Sequence, residues 1–213
     1  MKYIAPIIRI LFLALFVFLL IKGNIFIWLA LFGVSLLVAV VFGRLYCGYV
    51  CPMNTLMIPV EWLGKKLRIQ TAATPKWLKG GYFTWISLGV SIAAMIVGKR
   101  MFHMNIPVLP IWLALSVLLT LRYKPEVFHN LVCPFGALQK VFGRFAFFSK
   151  KVDPDTCIGC KLCEKVCPSG AIAVSPDSKK AVITTALCHQ CTRCTDVCPK
   201  ASIRYRKART TGN

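Results

Sequence analysis

The sequence predicts two unlike parts, a membrane all-α four-helix bundle over residues 1–149 and a small α+β domain over residues 150–213. Three observations predict them. Apolar runs long enough to cross a bilayer fill the first 121 residues, where Glu61 is the only acid. Eight of the eleven cysteines fall between 157 and 198, in two copies of one pattern. Hydrophobic residues make up 57% of the chain and charged ones 16%, against about 25% charged in an ordinary globular domain.

Four segments qualify as spans, at 4–21, 25–42, 82–98 and 104–121; a hydrocarbon core asks for about 20 apolar residues, with a range of about 17 to 25. The second, IFIWLALFGVSLLVAVVF, has no charge at all. The first holds Arg9, near enough to its start to snorkel toward the headgroups. No small-residue cleavage site precedes the second run, so the first reads as an uncleaved anchor rather than a signal peptide. The fourth has Pro107 and Pro110 in its first turns, where a missing backbone donor costs least.

Orientation follows from the cations in the connections. The 43–80 loop holds Arg44, Lys65, Lys66, Arg68, Lys76 and Lys79, whereas the two short turns hold Lys22, Lys99 and Arg100. The long loop is therefore expected inside, and four spans bring both termini and every cysteine to the cytoplasmic face of an inner membrane. Disulfides are disfavoured there and thiolates are free to hold metal. Within the loop, Leu56, Val60, Leu63 and Leu67 recur at helical spacing, which suits a helix lying in the interface or one packed on the protein's own tail. The net charge of +20 sits at the ends of apolar runs and on the tail. With no nucleic-acid motif beside it, that charge implies a lipid partner and excludes a nucleic-acid one.

The tail carries the strongest pattern. CIGCKLCEKVCP at 157–168 returns as CHQCTRCTDVCP at 188–199, each a C-x-x-C-x-x-C-x-x-x-C-P run of the bacterial ferredoxin type, and AIAV at 171–174 answers SIRY at 202–205. Three thiolates on a tight loop reach three irons of one cube, and Gly159 eases the backbone through that loop. The fourth cysteine lies beyond a helical turn and serves the other cube. Cys157, Cys160, Cys163 and Cys198 are thus expected to hold one [4Fe–4S] cluster, and Cys188, Cys191, Cys194 and Cys167 a second. Zinc would leave the third cysteine of each run surplus. AVITT at 181–185 reads as a short strand in a pseudo-twofold α+β fold, and His189 as a solvent-facing side chain.

Two further motifs stand where spans end. YCGYVCP places Cys47 and Cys51 before Pro52, and FHNLVCP places His129 and Cys133 before Pro134. The membrane part thus reads as a weak repeat: two spans, a ligand-type residue, three residues, Cys-Pro. Residues at i and i+4 share a helix face with Cβ atoms about 5 to 6 Å apart, so both pairs together could offer three thiols and one imidazole to a metal or cluster, or act as redox thiols. The plain alternative is buried apolar cysteine at helices broken by proline.

GRLYCGYVCP, the later VCPFGAL, four spans and the doubled cysteine run together resemble the NapH-type membrane ferredoxin family, relatives of the membrane parts of NosR-like and CcoG-like proteins. The resemblance covers nearly the whole chain. It implies an inner-membrane protein with cytoplasmic clusters, passing electrons between the quinone pool and a redox partner protein. By this likeness Cys47 and Cys51 match the first motif and Cys133 the second cysteine of the second, while His129 departs from the family's cysteine.

The expected function is membrane-bound iron–sulfur electron transfer, possible quinol dehydrogenase activity included. Lys161 and Lys165 are candidates to tune cluster potential, and Glu61, Glu126 and His129 candidates to accept a quinol proton, although each also reads as a solvated surface group. No haem-attachment C-x-x-C-H, nucleotide-binding glycine loop or hydrolytic constellation is present. A metallocentre assembly or metal-reduction factor and a redox-sensing regulatory subunit are the alternatives.

Overall fold

A computed structural model of the chain describes residues 4–71, 74, 78, 80–101 and 107–207. The chain forms two compact units, Met1–Cys51 with Gln139–Asn213, and Pro52–Leu138. The first joins two apolar helices to the cysteine-rich tail.

In that unit α1 (Ile4–Ile21) and α2 (Ile25–Phe42) occupy the expected spans. Gly23 at φ +72 closes α1, with Gly23 N–H donating to Leu20 O at 3.1 Å and Asn24 N–H to Leu19 O at 3.0 Å; glycine takes this left-handed position without the Cβ penalty. Few side chains of the pair are buried, and beside Ala5, Leu19 and Ala39 these are the aromatic Phe16, Trp28 and Phe32. Phe16 meets Trp28 edge-on at 5.1 Å, Phe32 meets Tyr46 at 5.2 Å, and Trp28 Nε1 donates to Tyr46 Oη at 2.9 Å. The remaining surface is apolar all round, Phe26 being 78% and Leu37 69% exposed, which suits lipid. Arg9 does not reach outward as expected: its Nε donates to Gly48 O at 2.8 Å and its guanidinium lies 5.6 Å above the Tyr49 ring.

The tail begins with β1 (Phe148–Val152). A one-turn helix α8 (Leu162–Lys165), β2 (Ile172–Val174), β3 (Ala181–Ile183), a second turn α9 (Arg193–Asp196) and β4 (Ile203–Lys207) follow. Each two-stranded antiparallel sheet mixes the two copies: β2 after the first run pairs with β3 before the second, and β4 pairs back to β1 in the register Lys150↔Tyr205. Ala171, Ile172, Ala181, Ile183 and Ile203 form the core between the sheets, with Cys163, Cys188 and Cys194 among them. The tail is fastened to the end of α2, where Phe147 N–H donates to Val40 O at 3.2 Å and the rings of Phe42, Phe148 and Tyr205 stack.

In the second unit, α3 (Pro52–Lys66) packs on α5 (Val108–Arg122), and α4 (Tyr82–Met101) on the turn at Phe128–Val132. A Cβ on Gly64 would lie 3.1 Å from Leu121 O, which sets the closeness of α3 to α5. The loop helix foreseen from Leu56 to Leu67 therefore exists, but it buries Met53, Met57 and Gly64 against α5 and leaves Trp62, Leu63 and Leu67 exposed. α4 buries a small polar stripe of Thr84, Ser87 and Ser91, whose hydroxyls bond within the unit; Trp112 Nε1 donates to Ser91 Oγ at 2.9 Å. Small residues of this kind let membrane helices approach closely. The unit ends with α6 (Pro125–Val127) and the start of α7 (Pro134–Gly143).

Three described helices, α1, α2 and α4, are long and apolar enough to cross a membrane. The fourth expected span is shorter: α5 has 15 residues, roughly 22 Å of helix against a core of about 30 Å. Residues 104–106 of that expected span lie outside the described residues, as do the loop cations Lys76 and Lys79.

Candidate iron-sulfur centre

The two cysteine runs fold as one turn built twice. In the first, Gly159 stands at φ +68, and a Cβ there would lie 2.0 Å from Lys179 O, so glycine is required. Lys161, also left-handed at φ +61, starts α8, which lifts Cys163 into the core. Cys157, Cys160, Cys163 and Cys198 then line one cavity with Ile158, Leu162, Ala181 and Ile203. Cys167, the last cysteine of the first run, is not in that lining. It acts electrostatically on Cys188, Cys191 and Cys194 instead. Cys198 thus lies with the cysteines of the first run, and Cys167 acts on those of the second.

The sets differ in exposure. Cys160 is exposed and Ile158 beside it is 59% exposed, whereas Cys188, Cys191 and Cys194 are buried. Burial pushes the Cys188 and Cys194 thiols up to about 12, and raises Cys191 and Cys163 as well. Cys198 goes down: burial would raise it, but the N–H groups of Ser202, Lys200 and Ala201 and the Ser202 hydroxyl outweigh that effect. Ala171 N–H likewise donates to Cys167 Sγ at 3.3 Å. Convergent thiols with backbone donors aimed at sulfur, and a cavity for the inorganic core, fit a cysteine-held cluster. Among the described residues no three His, Cys, Asp or Glu side chains gather as the ligands of a single ion. Thiols serving separate irons of a cube stand further apart than that.

The membrane-edge residues fall in different units, Cys47 and Cys51 in the first and His129 and Cys133 in the second. All four are buried. Their local backbones repeat. Tyr46–Val50 and Phe128–Val132 are π turns rather than the α turns implied by the i and i+4 argument; Cys51 N–H donates to Tyr46 O and Cys133 N–H to Phe128 O, both at 2.8 Å. Each cysteine is then extended (φ −64, ψ 118 and φ −66, ψ 116), as a residue before proline must be. Cys133 Sγ accepts Gly136 N–H at 3.3 Å and so caps α7. The expected metal at Cys47, Cys51, His129 and Cys133 finds no support here.

Two other expectations are corrected. His189 is 1% exposed rather than solvent-facing, because its loop is pressed against the turn after α2. His129 is buried too, edge-on to Phe128 at 5.9 Å, and Glu61 is paired with Lys65 at 2.6 Å, so neither is a free surface group. Lys161 and Lys165 are exposed. The cations that act on the second set are Lys150, Arg9 and Arg193. Sequence reasoning passed over Arg44 as a site residue, although it is wholly buried, with Nη1 donating to Ala186 O at 3.4 Å and Nη2 to Cys47 Sγ at 3.7 Å. It also passed over Gln190, which stands where the first run has Gly159.

Apolar helices fastened to paired cysteine sets define an iron–sulfur electron-transfer protein with helices of membrane-spanning length. The family described as "4Fe-4S dicluster domain" matches residues 149–208, and the one described as "4Fe-4S binding domain" matches 25–70 and 105–154, taking in both Cys-Pro motifs. The ferredoxin-type protein NapH of Haemophilus influenzae is 30% identical over 196 residues, covering 83% of this chain and 68% of that protein. A protein of Methanocaldococcus jannaschii is 31% identical over 176 residues (81% and 68%). The methylamine utilization ferredoxin-type protein MauN of Paracoccus denitrificans is 27% identical over 155 (66% and 54%). The chain belongs to the NapH-type ferredoxin family.

Proposed function

We propose that this protein passes electrons between a membrane quinol or quinone and a redox partner protein. In this reading residues 1–149 lie in or on the inner membrane, and residues 150–213 hold two [4Fe–4S] clusters on the cytoplasmic side. Cys157, Cys160, Cys163 and Cys198 hold one cluster, and Cys188, Cys191, Cys194 and Cys167 the other. The bound clusters would supply one-electron carriers whose potential the protein sets. The concentration of Lys and Arg in the 43–80 loop supports the orientation, and the NapH and MauN relatives support a redox partner.

One observation carries the reading: the Cys188–Cys194 loop and the turn after α2 touch within a single compact unit, His189 O lying where a Cβ on Gly48 would be 2.2 Å away. A cysteine domain merely tethered to a membrane anchor has no need of such contact. Full oxidation of a quinol releases two electrons and two protons, so the chain must also offer a base. Glu61, Glu126 and His129 are the candidates, and buried His129, beside the second Cys-Pro motif, is favoured.

Rapid mixing of anaerobically purified, cluster-loaded protein with a menaquinol analogue tests this. Bleaching of the visible cluster absorbance on a catalytic timescale is expected, and its absence defeats the proposal. Cys51→Ser should slow the exchange while leaving the tail absorbance intact.

A further inference from the structure

The two cysteine loops differ by one exchange at the same backbone position. Cys157-Ile158-Gly159-Cys160 places glycine at φ +68, whereas Cys188-His189-Gln190-Cys191 places Gln190 at φ +55. An L-residue is strained in that region, and only outside contacts keep it there.

Gln190 has such contacts on two sides, in strand β1 of the tail and in the turn after α2. The side chain is buried; Nε2 donates to Ser149 Oγ at 2.9 Å and Oε1 accepts Lys150 N–H at 3.0 Å. Its backbone carbonyl accepts the Tyr49 hydroxyl at 3.3 Å. Two glycines make room. A Cβ on Gly43, itself at φ +74, would lie 2.6 Å from Gln190 Nε2, and one on Gly48 would lie 2.2 Å from His189 O. The neighbour of Gly159 is Lys179 O, part of the tail itself. So the first loop closes on its own domain alone, and the second closes both on β1 and on the turn after α2.

We propose that Gln190 is a positioning residue that clamps the Cys188–Cys194 loop between β1 and the Gly43–Tyr49 turn, bonded to the first by its side chain and packed on the second. The iron site on this loop is thereby fixed against the membrane end, and the site at Cys157–Cys163, with exposed Cys160 and Ile158, is the one presented to a soluble partner. This rests on reading the eight tail cysteines as two cluster sites.

Gln190→Gly separates the clamp from the backbone conformation, because glycine suits the backbone, as Gly159 shows, but removes the side-chain bonds to Ser149 and Lys150 and the packing on Gly43. Gly48→Ala presses on the same joint from the other side. The full chain is purified anaerobically, and iron loss to a strong ferrous chelator is followed alongside electron paramagnetic resonance of the reduced protein. Wild type should release iron in two phases, fast from the exposed site and slow from the clamped one. Both variants should speed the slow phase by about tenfold, the loss of one or two buried hydrogen bonds, and should shift one resonance signal while the fast phase and the other signal hold. An unchanged slow phase in both variants, or equal acceleration of both phases, overturns the clamp alone. Wild-type iron far below eight per chain, the content of a 4Fe–4S pair, overturns the clamp together with the cluster reading beneath it.

Discussion

Lys150 Nζ donates to the Thr195 hydroxyl at 2.9 Å, which holds a largely buried ammonium beside Cys194. Lys150 takes part in neither of the ion pairs found among the described residues, Lys65 with Glu61 and Arg206 with Asp153. Its charge acts on both Cys188 and Cys194 in the sense that favours thiolate. A cation in that place favours the reduced, more negative state of whatever those sulfurs hold. Lys150→Met is therefore expected to lower the potential of the second cluster by an amount on the order of tens of millivolts, leaving the first nearly unchanged, with Lys150→Arg close to wild type. A resonance-monitored redox titration resolves the two; an equal shift at both, or none at either, contradicts the assignment.

Gly159 and Gly23 form a paired test of why glycine stands where it does. Both have positive φ, but a Cβ on Gly23 would meet nothing within 4 Å, whereas one on Gly159 would meet Lys179 O at 2.0 Å. Gly23→Ala should cost only backbone strain, about 1 kcal/mol. Gly159→Ala must also part the first cysteine loop from the strand pair behind it, so it should cost about 3 kcal/mol or more and deplete iron from the exposed site. Thermal unfolding with iron analysis ranks the two, and comparable losses would contradict the clash.

Some of this was legible in the sequence, for definite reasons. The spans at 4–21 and 25–42 coincide with α1 and α2, because an apolar run ended by Gly23 or Gly43 leaves little freedom in its bounds. A helical turn and a proline carry Cys167 and Cys198 away from their own loops, and that local arrangement is written in the C-x-x-x-C-P spacing. Arg9 and His189 were misread because their surroundings come from distant residues, Gly48 and the end of α2. The π turns were illegible for another reason: Pro52 and Pro134 force the preceding cysteine to be extended, and the backbone widens by one residue to keep its bond. Gly43 and Gly48 carry no local signal of purpose. Their partners, the Gln190 side chain and the His189 carbonyl, lie far along the chain in the second cysteine run.

Within the second unit, the indole of Trp112 and the hydroxyl of Ser91 join α5 to α4, and Ser91 in turn donates to Ser87 O. Ser91→Ala leaves a partly buried indole N–H without its acceptor. In a membrane-embedded helix pair that bond is worth about 0.6 to 1.7 kcal/mol, so a modest drop in unfolding midpoint in detergent is expected. Trp112→Phe in the Ser91→Ala background should add only the loss of ring size; additive single effects would show that no bond is shared.

Tyr205 donates its hydroxyl to Phe42 O at 3.0 Å, fastening β4 to the end of α2. Burial, and then the nearby Cys188 charge, raise its pKa above the ordinary 10.0. The neutral phenol is thus the form the fold favours. Its contribution is fully present below the unfolded value and is lost as pH rises through the higher folded value. The unfolding midpoint of wild type should therefore fall above about pH 10 more steeply than that of Tyr205→Phe, which is less stable at pH 8. Parallel pH curves for the two proteins would remove Tyr205 from this role.

Removing iron should unfold the tail and spare the helices. The tail has two ladders, of five and three residue pairs, and an apolar core of a few small side chains set among cysteines. A domain of about 60 residues buries too little apolar surface to be secure without staples, and here the eight tail cysteines are placed to supply them. Once they let go of metal, the backbone entropy of the loops at 157–163 and 188–194 is no longer offset. Anaerobic chelation should then abolish hydrogen-exchange protection in β1 and β4 while helical circular dichroism, dominated by α1, α2, α4 and α5, falls only slightly. Persistent protection of Ile203–Lys207 in iron-free protein would mean that the strand pairing stands by itself, and that the cysteines serve redox chemistry without serving the fold.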